Sequence, residues 1–441
     1  MRRMRTRLLA TTMAAAMVPA GSALAEVTVL GWPGGPEEVA LRAAADAYNA
    51  MDGVADEDKV ELIFFNRDGF WDKLQADLAA GTTEFDINLT ATYAVGRYAP
   101  YMAPLDLPAS AVDVFGDSVL ATMQYDGAQY GVPTDLSLHF MYYRADLIAE
   151  LLTNADWQAR YGEISAEHLG TAMTPKDPDE WTWDDYAATA LFFTQAINAD
   201  SPVRYGTVLQ MKNLLFNMMI WHSTARSQGG NWMDADGNIT VDSEAFRKGL
   251  ELYKMLYDAG ASPRDSLSYE YAEANAAFGS GQAATMLQWN AAAGDLTDPE
   301  KTPAVAEVVG TVAPPTGSQG RFTHIHGLGL GLNANAENMD GAKAFLDWLA
   351  SEEAALIYAR AGGSPALAPA VSAKIAEERP DLVALGTYAG AYGFVMNGGT
   401  SANALSVYEL QAKEFTGYWA GEQSLDDALA HTAAGMAELL K

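Results

Sequence analysis

After residue 25 the chain alternates short apolar runs with helical patterns, and this alternation limits the possible folds more than any other feature of the sequence. Residues 27–30, 60–65 and 85–89 are predicted strands. Residues 37–50 and 70–81 carry the periodicity and end signals of helices. Because strand and helix alternate, the segment predicts a parallel sheet wound by right-handed crossovers.

The remainder of the chain predicts more helices and strands, with no internal repeat. Residues 147–257 are mainly helical, 327–332 form a strand, and 339–361 and 424–440 form helices. The polar stretch 152–178 predicts an insertion or a surface loop. At about 150 residues per domain, 441 residues suggest two or three domains.

The first 25 residues have the composition of a secretory signal peptide. Four arginines among the first seven residues precede an apolar run over 8–18, and 23–25 read Ala-Leu-Ala. The alternative is a membrane anchor, but the apolar run is shorter than the ~20 residues that a spanning helix needs. We expect cleavage after Ala25 and a lipid-free protein in the periplasm.

The charge of the chain excludes several classes of partner. The formal net charge is −30 and there are no cysteines. Nucleic-acid binders need clustered Lys and Arg, and anionic bilayers repel acidic proteins, so we expect no nucleic acid and no membrane insertion. The absence of cysteine excludes disulfides and thiolate metal sites.

Three short motifs have alternative interpretations as nucleotide or metal sites. Residues 327–331 read Gly-Leu-Gly-Leu-Gly, but their period of two favours a strand with one bare face over a dinucleotide loop. Residues 234–238 suggest a calcium loop, but the glycine and glutamate that an EF-hand needs at its sixth and twelfth places are absent, which favours a turn. His324 and His326 share one strand face, half of a possible metal site.

Catalytic motifs are weak in this sequence. There is no G-x-S-x-G elbow, and no base can be assigned to Ser364. Paired carboxylates of a glycosidase need only spatial proximity, so that chemistry stays open. We expect no cofactor, no metal and no catalysis.

Aromatic residues beside polar groups suggest a binding surface. They occur at loop-like positions, namely Trp32, Tyr93, Trp232, Trp289 and Tyr408. Each could pack in the core or stack against the C–H face of a sugar, an interaction that adds roughly 0.5–1.5 kcal/mol beyond area burial.

In their order and spacing, several segments resemble the family 1 extracellular solute-binding proteins of ABC importers, the maltose-binding-protein-like group. The longest reads YGVPTDLSLHFMYYRADL over residues 130–147. The others are 78–87, 181–185, 228–230, 278–289 and 342–353.

The resemblance implies an α/β, periplasmic-binding-protein-like fold of type II, with two α/β lobes, a hinge and a central cleft. The N-terminal lobe would comprise 26–136 and about 325–366, and the C-terminal lobe 137–324 and about 367–441. Closure on a ligand that touches both lobes is a hinge motion.

The resemblance also implies ligand-binding positions, carried over where a local motif aligns. They are Trp32, Gly34, Gly35, Thr90, Thr92, Tyr93, Asp135, Ser137, His139, Asn217, Gly229, Gly230, Trp289, Asn290, His326, Gly363, Ser364 and Tyr408. The family often has an acid where Ser137 lies and an arginine where His139 lies, so the oligosaccharide contacts of the family are in question.

The implied function is to bind a sugar, small oligosaccharide or polyol and to deliver it, as a monomer, to the transmembrane subunits of an ABC permease. A charged sugar derivative or glycerol phosphodiester would need a cation such as Arg67, Arg97 or Arg321. An amine would suit an aromatic cage with an acid. A periplasmic carbohydrate-active enzyme is the alternative of a different class.

Overall fold

A computed structural model describes residues 26–34, 36–66 and 69–440 of the chain. The predicted signal peptide, Gly35 and Arg67 lie outside these residues. Among the described helices, none combines the length and the apolar character that a membrane crossing requires.

The strands of the described residues are short. They are β1 (Val27–Gly31), β2 (Val60–Phe64), β3 (Ile87–Ala91), β4 (Met102–Ala103), β5 (Gln124–Tyr125), β6 (Ala128–Gln129), β7 (Val132–Ser137), β8 (His139–Arg144), β9 (Tyr205–Val208), β10 (Ala283–Trp289), β11 (Val309–Val312), β12 (Thr316–Gly317), β13 (Gly320–Arg321), β14 (Thr323–His324), β15 (His326–Asn333) and β16 (Gly393–Phe394).

The helices lie between and after these strands. They are α1 (Pro36–Asn49), α2 (Phe70–Ala80), α3 (Val95–Tyr98), α4 (Ala111–Phe115), α5 (Asp117–Ala121), α6 (Ala145–Thr153), α7 (Ala155–Leu169), α8 (Trp183–Phe192), α9 (Leu215–Ser227), α10 (Glu244–Asp258), α11 (Tyr271–Gly279), α12 (Ala293–Leu296), α13 (Met339–Leu349), α14 (Glu352–Arg360), α15 (Pro369–Ser372), α16 (Pro380–Tyr392), α17 (Ala404–Ala420) and α18 (Leu425–Leu439).

The first sheet has the strand order β2-β1-β3-β15-β4, with β7 also paired to β15. Its first three strands are parallel, as the strand and helix alternation predicts. The strand β15 returns antiparallel to β3. Its glycines allow β7 to approach closely, because a Cβ atom at Gly329 would lie 2.6 Å from the Val132 carbonyl oxygen. The prediction of a strand with a bare glycine face is confirmed.

The second sheet has the order β11-β8-β10-β9. Its strands β8 and β10 are antiparallel, and β9 lies parallel to β10. The chain passes from one sheet to the other at Leu138, the single residue between β7 and β8. The chain returns to the first sheet close to Leu138, because His326 at the start of β15 pairs with Ser137 at the end of β7.

Of the two alternatives for 152–178, the surface loop was wrong for much of the segment, which contains α7, and the insertion stays a prediction. The Asn154 side chain caps this helix by accepting from the backbone N–H groups of Asp156 and Trp157. Tyr161 and Ile164 are buried and α7 packs on α8. The helical spacing of these apolar residues was a signal that the polar composition of the segment obscured.

Candidate ligand-binding site

A cleft of about 390 Å³ lies where the two sheets meet. Parallel strands present ligand sites at their carboxyl ends, and the loops after β1 and β3 both reach this cleft. Its lining comprises Trp32, Pro36, Glu37, Tyr93, Asp135, Ser137, Phe216, Asn217, Glu270, Tyr271, Trp289, Asn290, Ala291, His326, Leu328 and Ser364. Both sheets therefore contribute rings and polar groups to one concave surface.

Another groove of about 450 Å³ is larger but is built differently. It lies among α7 to α10, with Trp183, Lys248 and Met255 in its lining. Its lining comes from one side of the molecule, without a contribution from the first sheet. We therefore place the candidate site in the cleft between the sheets.

Aromatic rings from both sides of the cleft contact one another. The ring of Trp32 meets those of Phe70 and Trp71 edge to face, with centroid distances of 5.4 and 5.5 Å. The ring of Tyr93 lies 6.2 Å from that of Phe216, which belongs to α9. These contacts fix the planes against which a ligand could stack.

Trp289 ends β10 and is supported from behind by imidazoles. The centroid of its ring lies 4.0 Å from that of His139 and 4.7 Å from that of His326. Its backbone N–H donates to the Gln288 side-chain oxygen at 2.9 Å. With 8 % of its surface exposed, Trp289 is a rigid ring with a small accessible part.

Asp135 is a carboxylate of the cleft lining that two donors hold in place. The Ser364 backbone N–H donates to Oδ1 at 2.7 Å, and the Tyr358 hydroxyl donates a short hydrogen bond to Oδ2. Burial raises the pKa of Asp135 to about 6, while these two hydrogen bonds act in the opposite direction. The carboxylate therefore has fixed orientation and titrates close to neutrality.

Four buried histidines form a cluster beside the cleft, namely His139, His222, His324 and His326, and two of them, His139 and His326, contact Trp289. Burial lowers the pKa of His222 and of His326 to about 3, and that of the other two well below its ordinary value, so all four rings are neutral. Within the described residues, no three His, Asp or Glu come together as a metal site would require. The cluster supports the cleft by packing.

The structure places nine of the predicted site residues around the cleft. They are Trp32, Tyr93, Asp135, Ser137, Asn217, Trp289, Asn290, His326 and Ser364. Their contact with a ligand stays a prediction. Gly35 lies outside the described residues.

Several predicted residues do not line the cleft because the first sheet or its loops use them. The Thr92 hydroxyl accepts from the Gly327 backbone N–H at 2.8 Å. Thr90 is fully buried against Gly131. Gly34 is exposed, and its N–H donates to the carboxylate of Glu38.

The other predicted residues outside the cleft lie behind it or at a distance. His139 is covered by Trp289. Tyr408 is buried and shares a hydrogen bond of 2.7 Å with His324. Gly229 and Gly230 follow the end of α9, and Gly230 packs on Phe246.

Gly363 also lies outside the cleft, since it packs against the ring of Tyr358. The two described arginines that were candidates for an anionic ligand are engaged elsewhere. Arg97 lies 3.7 Å from Asp72, and Arg321 lies 2.7 Å from Asp179.

Sequence reasoning missed the other lining residues, which are Pro36, Glu37, Phe216, Glu270, Tyr271, Ala291 and Leu328. Most adjoin a predicted residue or begin a helix. Phe216 precedes Asn217, and Ala291 follows Asn290. Extending each predicted position by one residue would have found these two, whereas Glu270 and Tyr271 begin α11 with no preceding motif.

Comparison with known proteins agrees with this architecture. The family described as bacterial extracellular solute-binding protein matches residues 34–356. The chain belongs to this family. The solute-binding protein is 24 % identical over 349 residues to a probable amino-acid ABC transporter periplasmic-binding protein of Sinorhizobium fredii, covering 74 % of this chain and 70 % of that one. It is 24 % identical over 286 residues to the mannitol-binding protein of Pseudomonas aeruginosa, covering 64 % and 59 %.

Solved structures of similar fold include maltose-bound MalE3 of T. maritima, with a TM-score of 0.72 and 21 % identity over 94 % of this chain and 99 % of that chain. A solute-binding protein of Agrobacterium vitis with bound D-mannitol gives a TM-score of 0.66 and 18 % identity over 94 % and 97 %. The predicted α/β fold of the periplasmic-binding-protein class is confirmed.

Proposed function

We propose that this solute-binding protein binds a monosaccharide or an alditol in the cleft and releases it chemically unchanged. The observation that carries the proposal is the combination of aromatic rings, side-chain amides and the held Asp135 carboxylate on one concave surface. Hydroxyl groups donate to carboxylates in charge-assisted hydrogen bonds, and sugar C–H faces pack on aromatic rings. The relative from Pseudomonas aeruginosa is named for mannitol.

The size of the cleft favours a small ligand. Its volume of about 390 Å³ lies near the lower end of the ~300–1,000 Å³ range of ligand sites. A monosaccharide or an alditol fits such a volume better than a long oligosaccharide does.

We further propose that residues 26–136 with 325–366, and 137–324 with 367–441, are two lobes that close on the ligand. The support is that the chain passes from the first sheet to the second at Leu138, next to the start of β15 at His326. A ligand that touches both sides would stabilise the closed form by its additional contacts. The closed form would then engage an ABC permease from the periplasm, the location that the signal-like N-terminus predicts.

The test is a thermal-shift screen followed by calorimetry. The panel contains D-mannitol, ribitol, D-tagatose, maltose, mannitol 1-phosphate and the common amino acids. We expect an alditol or a monosaccharide to stabilise the protein, by about 2.7 kcal/mol at 100 times its dissociation constant. Stabilisation by amino acids alone, or by the phosphate alone, would contradict the proposal.

Chemical inertness needs a separate measurement. The bound compound is recovered after prolonged incubation with the protein and is compared with untreated compound by chromatography. We expect identical material at one equivalent per chain. Turnover of maltose or of an oligosaccharide would instead indicate a carbohydrate-active enzyme.

A further inference from the structure

The structure surrounds Asp135 with donors that come from a distant part of the chain. Tyr358 lies 223 residues away in sequence, near the end of α14, and its hydroxyl donates to Oδ2. The Ser364 N–H donates to Oδ1 at 2.7 Å, and the Ser364 carbonyl accepts from the Leu136 N–H at 2.8 Å. Each carboxylate oxygen therefore has its own donor.

The loop that carries Ser364 is shaped around the ring of Tyr358. A Cβ atom at Gly363 would collide with carbon atoms of that ring. The Gly363 N–H donates to the Tyr358 carbonyl at 3.1 Å, and the Gly363 carbonyl accepts from Arg379 at 3.0 Å. Because glycine alone allows this approach, Gly363 supports the ring of Tyr358, while the neighbouring Ser364 lies in the cleft lining.

Tyr358 does not contact the cleft itself. It is 4 % exposed and is absent from the cleft lining, whereas Asp135 is in that lining. Burial raises the pKa of Tyr358 well above its ordinary value, so its hydroxyl remains a donor. The residue can therefore act on a ligand only through the cleft residues that its hydroxyl contacts, which are Asp135 and, at 3.4 Å, the backbone carbonyl of Glu37.

We propose that Tyr358 is a positioning residue, which holds the Asp135 carboxylate ionised and oriented so that it accepts hydrogen bonds from the hydroxyl groups of the ligand. This inference rests on the proposed function for the identity of the ligand. Without the Tyr358 donor, the buried carboxylate loses a charge-assisted hydrogen bond that favours the ionised form. The pKa of Asp135, already raised to about 6, would then rise further.

The pH dependence of this arrangement involves the other ionisable groups near Asp135. They are Glu37 and Glu38 on α1, Tyr358 on α14, His326 on β15 and Glu270 across the cleft. The charge of Glu37 also raises the pKa of Asp135. Since His326 is neutral in this range, Asp135 is the group whose titration Tyr358 controls directly.

The decisive variant is Tyr358→Phe, which removes one oxygen atom and keeps the ring. Affinity for D-mannitol is measured by calorimetry between pH 5 and pH 8. Relative to the unaltered protein, we expect the affinity to fall less than about threefold at pH 8 and about tenfold at pH 5. This difference follows if the pKa of Asp135 rises by about one unit and only the ionised carboxylate binds the ligand. The control is Tyr161→Phe, which removes a buried hydroxyl on α7, outside the cleft, and should leave the affinity for D-mannitol unchanged at every pH.

Two further measurements separate positioning from a merely structural role. In an Asp135→Asn background, Tyr358→Phe should no longer alter the pH profile. The proposal would be overturned if Tyr358→Phe lowered the affinity by the same factor at every pH. It would also be overturned if Tyr358→Phe lowered the affinity in the Asp135→Asn background as it does with Asp135 present. If Tyr358→Phe does not fold, Gly363→Ala displaces the same ring and must shift the profile in the same direction.

A measurement without ligand distinguishes this inference from the proposed function. Carboxyl carbon NMR on protein labelled at aspartate follows the titration of Asp135, and Asp135→Asn identifies its signal. We expect Tyr358→Phe to raise the titration midpoint by about one unit even if D-mannitol does not bind. An unchanged midpoint overturns the inference, while failure of every sugar and alditol to bind overturns the proposed function.

Discussion

Asp135 and the four buried histidines lie beside the same cleft, but their polar atoms have different surroundings. Both oxygens of Asp135 accept hydrogen bonds, from Tyr358 and from Ser364. In the histidine cluster, five ring nitrogens lack a hydrogen-bond partner within the described part of the chain, two of them on His139. Burial raises the pKa of Asp135 and lowers those of the histidines, so in both cases it disfavours the charged form.

The difference shows how one fold uses buried ionisable groups in two ways. The carboxylate is kept near the ionised state by dedicated donors, and it faces the cleft. The histidines stay neutral and support Trp289 and Tyr408 by ring contacts. Substitutions of Asp135, His222 and Trp289 test this contrast.

Replacing Asp135 tests the carboxylate side of the comparison. Asp135→Ala removes an acceptor and leaves the Tyr358 hydroxyl and the Ser364 N–H without their present partner. We expect affinity for the sugar or alditol to fall about 100-fold, or about 2.8 kcal/mol. Calorimetry measures the change, and Asp113→Ala at an exposed position of α4 is the control. A loss below threefold would show that Asp135 is only structural.

Replacing His222 tests the histidine side through stability. The pKa of His222 is about 3 in the folded state and ~6.5 when unfolded, so below pH 6.5 only the unfolded chain takes up this proton. Stability is therefore lost as the pH falls from 6.5 towards 3. At pH 5 this proton uptake lowers the free energy of unfolding by about 2 kcal/mol.

The variant His222→Gln should reduce the loss of unfolding free energy between pH 7 and pH 5 by about that amount. Urea unfolding, followed by tryptophan fluorescence, measures it at both pH values. The exposed His168 provides the control His168→Gln, which should behave like the unaltered protein. If His222→Gln lost as much unfolding free energy between pH 7 and pH 5 as the unaltered protein, the histidine cluster would not be the acid-sensitive part of the core.

Replacing Trp289 tests whether the histidine cluster serves the cleft by supporting a stacking ring. Trp289→Ala should weaken binding about tenfold, or about 1.4 kcal/mol, and Trp289→Phe should weaken it less because a ring remains. The control is Tyr408→Phe, which lies outside the cleft and should change affinity less than twofold. Equal effects of Trp289→Ala and Tyr408→Phe would mean that Trp289 only packs.

The first sheet was predictable because its information is local. The strands β1, β2 and β3 and the helices between them follow from hydrophobic periodicity and glycine stops within a few residues of each element. The helix α7 was missed because its polar exposed face dominated the composition of the segment. Its buried face became evident only against α8.

The candidate site was predictable in part. Residues in aligned motifs, such as Asp135 and Trp289, line the cleft. Gly363 and Tyr408 come from equally plausible positions, but Gly363 packs against Tyr358 and the Tyr408 side chain is buried away from the cleft. Adjacent residues in a strand or loop can face opposite sides, so a correct element does not determine which side chain faces a ligand.

The sequence alone determined the alternation of strands and helices and the resemblance to solute-binding proteins, because periodicity and motif order are properties of neighbouring residues. The tertiary structure brought Tyr358 and Ser364 to Asp135, and it gathered four histidines beside the cleft, two of them against Trp289. These contacts join residues that are far apart in sequence. Their energy depends on burial and on hydrogen-bond geometry, which exist only once the sheets have packed.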